Sequence, residues 1–80
     1  MRVGDLVRSK EGIGYHAKIR SLPGGGGKLI SRIKNQTMLI LRLQLGVKTW
    51  FPDQNPIDYA QVLSQSGIGW IEVHFLEIIE

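Results

Sequence analysis

The chain has 80 residues, a formal net charge of +3, 42% hydrophobic residues and no cysteine. That length allows one small domain, and the lack of cysteine excludes disulfides and thiolate metal sites. A core of this size supplies only about 3–5 kcal/mol net, so a protein partner is the natural further source of stability.

Met1 to Asp5 lack the apolar segment of a secretory signal, and no run of 18 apolar residues occurs, so no membrane span is expected. The expected location is a virion or the cytoplasm of a host cell. Charge is unevenly distributed along the chain. All ten Lys and Arg lie in residues 1–48 against Asp5 and Glu11, a net of +8. Residues 49–80 carry five acids and no Lys or Arg, a net of −5. Such asymmetry suggests a polyanion partner, or copies that join basic end to acidic end.

In chain order, Leu6 and Val7 form a short strand candidate after Gly4-Asp5, and Gly12-Ile13-Gly14 marks a bend. Tyr15, Ala17 and Ile19 alternate with His16, Lys18 and Arg20, which predicts a half-buried strand with the cations outward. Pro23 to Gly27 break regular structure. Residues 28–34 alternate again, with Leu29 and Ile33 on one face and Lys28, Ile30, Arg32 and Lys34 on the other. Asn35-Gln36 suits a tight turn.

Residues 37–45 are the strongest strand, with Leu39, Leu41 and Leu43 expected inward and Met38, Ile40, Arg42 and Gln44 outward. A further strand is expected over 47–51 and a loop over 52–56. Residues 57–66 are ambiguous between a strand and one or two helical turns. Residues 70–75 are β-prone, and Leu76-Glu77-Ile78-Ile79 close the domain. Trp50, Phe51, Trp70 and Phe75 are expected in the core.

Several short strands separated by glycine-rich turns predict a mostly β fold, a small antiparallel barrel with room for one short helical segment. Val3-Gly4-Asp5-Leu6-Val7, Gly12-Ile13-Gly14, a late Trp-bearing strand and the closing Leu-Glu-Ile-Ile resemble small SH3-like barrels encoded in tailed-phage genomes. The resemblance covers about a quarter of the chain and implies the SH3-like barrel; the glycine-rich insert lies outside its pattern.

No catalytic residues, cofactor or metal site are expected. Gly24 to Lys28 share glycines and a Lys with a phosphate loop, but Leu29 stands where Ser or Thr is needed, and a strand is expected where a helix should begin. His16 could pair with Asp5, Asp58 or Glu72, but no nucleophile motif accompanies it, and its place beside Lys18 and Arg20 suits a surface histidine.

The expected function is therefore a non-catalytic interaction module, a structural or accessory protein of a phage particle that assembles with itself or with a shell or tail protein. Met38 and Ile40, read as outward among charges, are its candidate protein interface. The alternative is a nucleic-acid-binding barrel, KOW-like and without sequence preference, using Lys18, Arg20, Lys28, Arg32, Lys34 and Arg42 against phosphates. No exposed aromatic is evident for base stacking on that face. A third option is an inhibitor of a host protein.

Overall fold

In the computed structural model, the described residues are 1–10, 18–25, 27–32, 36–48 and 53–79. They form seven strands: β1 (Leu6–Ser9), β2 (Lys18–Arg20), β3 (Leu29–Arg32), β4 (Met38–Val47), β5 (Ile57–Ser64), β6 (Gly67–Glu72) and β7 (Leu76–Ile78). Single 3-10 turns cover Pro23–Gly25 and Val73–Phe75. The strands make one antiparallel sheet in the order β3-β2-β6-β5-β4-β1-β7. It curls into a half-barrel, in keeping with the mostly β, antiparallel barrel-like fold expected from the sequence. The first strand pairs with the last, and a 3-10 turn precedes that last strand.

Pairing register assigns the two faces, because directly paired residues point the same way. Val7 pairs with Met38, Ile40 with Val62, and Ala60 with Ile71. These residues, with Ile19 and Leu76, are the buried core inside the curl. Ile30, Leu43, Val73 and Phe75 pack against it from the margin.

β4 therefore faces the opposite way from the expectation. Met38 and Ile40 are 0% and 1% exposed, and Leu39 and Leu41 are half-buried on the other side. A bulge between Ile40 and Arg42 then adds a residue, so Leu43 returns to the core side opposite Ala60. Residues 38–41 are all apolar, so their pattern contains no polar member to define a face. Ile30 is likewise turned toward the core rather than outward. The pairing of β2 with β3 shifts between Ile19 and Arg20, which displaces the simple alternation.

The ambiguous 57–66 segment resolves as β5, a central strand flanked by β4 and β6. It carries apolar residues on both faces, Ala60 and Val62 toward the core and Tyr59 and Leu63 on the outer side, and that blurred the period-two signal. Of the expected 47–51 strand, Val47 ends β4 and Lys48 follows it outside regular structure; the rest lies outside the described residues, as do Tyr15 to Ala17 and the Gly12-Ile13-Gly14 bend.

Candidate functional site

The outer face of the sheet is ordered into rows that cross the strands. Leu6 pairs with Leu39, Leu39 with Leu63, and Leu63 with Ile68. The result is one apolar row across β1, β4, β5 and β6 on the side away from the core. Leu6, Leu63 and Ile68 are 49%, 45% and 53% exposed. Adjacent strands lie about 4.8 Å apart, so four residues in a row span about 14 Å.

Two residues further along β5 runs a second row. Arg42 pairs with Gln61, Gln61 with Trp70, and Trp70 with Arg20. Arg42 is exposed, and Gln61, Trp70 and Arg20 are half-buried. Lys18, two residues before Arg20, lies on the same face of β2 because Ile19 between them enters the core; it is half-buried and stands one row further along. Trp70 thus leaves the core position expected of it: Gly69 and Ile71 take the inward places on β6. An aromatic among the cations is a feature the sequence pattern did not reveal. It becomes visible only when β6 is known to lie between β2 and β5.

A third row holds Gln44, Tyr59 and Glu72. Tyr59 is only 5% exposed although it faces away from the core. The Pro23–Gly25 turn packs against β5 there, with the Gly24 backbone and the Glu72 carboxylate close to the Tyr59 hydroxyl. Burial raises the Tyr59 pKa above its ordinary 10.0, and the Glu72 charge adds to the rise; Gly24 and the positive charge of Arg20 oppose it. Part of the glycine-rich segment is thus a cover over one end of the outer face. Gly24 takes φ +83°, a conformation that L side chains rarely adopt. The loop is closed at its base by Ser21 N–H to Lys28 O and by Lys28 N–H to Ser21 Oγ, each 2.9 Å.

The remaining candidate residues scatter. Lys28 is exposed just before β3. Arg32 is opposite Lys18 in backbone register. Lys34 and His16 lie outside the described residues. Met38 and Ile40 are core residues, so they cannot form the protein interface assigned to them: a docking partner has no access to them.

The charge halves do not form opposite ends either. β6 and β5 lie between β2 and β4, and β7 lies beside β1. Arg8 and Glu77, directly paired, join Nε to Oε1 at 2.7 Å. Sheet order interleaves the basic and acidic halves, so the basis for joining copies end to end by charge disappears.

An open cleft of about 280 Å³ is lined by Pro56, Ile57, Asp58, Val73 and His74. Its polar groups are already engaged. Asp58 Oδ1 accepts from the Gly46 N–H at 2.9 Å, which holds the second bulge of β4. His74 Nε2 lies 2.9 Å from Glu72 Oε2. Among the described residues, no group of three or more His, Cys, Asp or Glu is placed to hold a metal ion.

No family model, curated protein or solved structure matches this chain, so the two rows of the outer face carry the functional reading.

Proposed function

We propose that this protein is a non-catalytic interaction module that docks on a partner protein through the outer face of its sheet. The observation that carries this reading is the apolar row Leu6–Leu39–Leu63–Ile68, aliphatic in every place and open to solvent in three of them. Single exposed aliphatics are ordinary, but a contiguous row is characteristic of a contact surface. The resemblance to tailed-phage barrels makes a shell or tail protein of a virion the class of partner. An inhibitor of a host protein would use the same face.

The test is a photo-activatable residue placed at Leu63 in cells that make the protein, with the exposed Gln65 as the control position. Cross-links to one defined protein from position 63 and not from position 65 are the expected result. Their absence removes the reading.

A second reading, nucleic-acid binding, is favoured by the position of Trp70 between Gln61 and Arg20, with Lys18 and Arg42 nearby. Cations would hold phosphates and Trp70 would stack on a base. Low-salt gel shifts with single-stranded DNA test it. Binding that fades with salt and weakens in Trp70→Ala supports it, and no shift ends it.

A further inference from the structure

We infer that the partner segment seated on the outer face is an amphipathic helix whose apolar stripe is bordered by carboxylates on one side. This inference rests on the docking reading above and names the chemistry of the occupant.

Charge complementarity is the first argument. The row beside the apolar one contains Arg42 and Arg20, with Lys18 beyond. Among the described residues, neither Lys18 nor Arg42 has an ion-pair partner. The acids on this face have partners: Glu77 pairs with Arg8, and Glu72 lies against His74. The unmatched charge beside the apolar row is therefore positive. On the opposite side of that row stand Thr37, Gln65 and Ser66, exposed and uncharged, and Arg8, whose charge is matched by Glu77. A partner gains from carboxylates along one flank only, and this fixes its orientation.

Spacing is the second argument. The apolar row spans about 14 Å, close to the length of three helical turns at about 5.4 Å each. The cationic row lies two residues along β5, about 7 Å away. A helix with side chains is about 10–12 Å wide, so one lying on the apolar row brings its flank over the cations. An amphipathic helix that lays its apolar stripe on a hydrophobic surface is an established mode of recognition.

The test uses three probes read by fluorescence anisotropy. The first is a synthetic helical peptide of about 18 residues, five turns, with leucines on one stripe and glutamates on the flank. The second replaces the glutamates with lysines, and the third is a single-stranded oligothymidine. The acidic peptide is expected to bind at least about tenfold more tightly than the lysine peptide, with the difference shrinking in salt. Leu63→Asp and, separately, Ile68→Asp should each abolish binding, with circular dichroism confirming the fold. Arg42→Glu should narrow or reverse the preference between the peptides, which a merely unfolded variant cannot do. Equal binding of both peptides overturns the acidic assignment. So does binding of neither peptide, or displacement of the acidic peptide by oligothymidine. Cross-linking at position 63 separates the two levels. If it captures a defined protein while the peptides fail, docking stands and the helix assignment falls; if both fail, both readings fall.

Discussion

The side chain of Ile19 lies directly against the backbone of Gly69, where β2 meets β6. A Cβ at position 69 would collide with Ile19 Cγ2 and come within 2.9 Å of Ile30 Cδ1. The absence of a side chain there lets the β2–β3 hairpin close over the core, bringing Arg20 beside Trp70. Gly69→Ala should therefore destabilise the fold by about 1–3 kcal/mol through overpacking. Urea denaturation measures this, and Ile19→Ala in the same chain should recover part of the clash cost while adding its own cavity.

Substitutions on the two faces of neighbouring strands should have opposite consequences. Met38→Asp places a carboxylate in the core with no partner, a cost of several kcal/mol that exceeds what so small a core supplies. It should unfold the protein. Leu63→Asp, on the outer face, should stay folded. Far-ultraviolet circular dichroism of the two variants decides whether the core and outer faces are correctly assigned. For comparison, Ile40→Ala should cost about 2–5 kcal/mol.

Tyr59→Phe removes a buried hydroxyl beside the Gly24 backbone and the Glu72 carboxylate and should cost about 0.5–1.5 kcal/mol. Amide exchange at Gly24 should quicken as the cover loosens. The same hydroxyl predicts an alkaline effect. Its folded-state pKa is raised above 10.0, so the folded protein holds the phenol proton more tightly than the unfolded chain. That contribution is complete below pH 10 and is lost as pH rises above 10 through the folded-state value. The stability difference between wild type and Tyr59→Phe should therefore shrink in that window, as followed by denaturation at several pH values.

The Arg8–Glu77 pair is half-exposed on both sides, and ion pairs of that kind contribute about 0–1 kcal/mol. Glu77→Gln should lower stability by no more than this at low salt and by less at high salt. Thermal melts at two ionic strengths measure it. A larger loss would mean that the junction of first and last strands depends on the pair rather than on Val7 and Leu76 beneath it.

Local patterns in the chain were enough to predict a mostly β fold, the breaks at Pro23 to Gly27, and the inward Ile19 between outward Lys18 and Arg20. These depend on side-chain alternation and turn chemistry over a few residues, so they survive without knowledge of the neighbours. Tertiary structure alone decided which face of β4 is buried. Met38 to Leu41 contain no polar residue, and only pairing with Val7 and Val62 orients them. It also decided that Trp70 stands outside the core among cations, that Leu6, Leu39, Leu63 and Ile68 align, and that the basic and acidic halves interleave. Each of these is a relation between strands distant in sequence. Their register is fixed by bulges, a glycine that admits Ile19, and burial of a shared core, none of which a local pattern records.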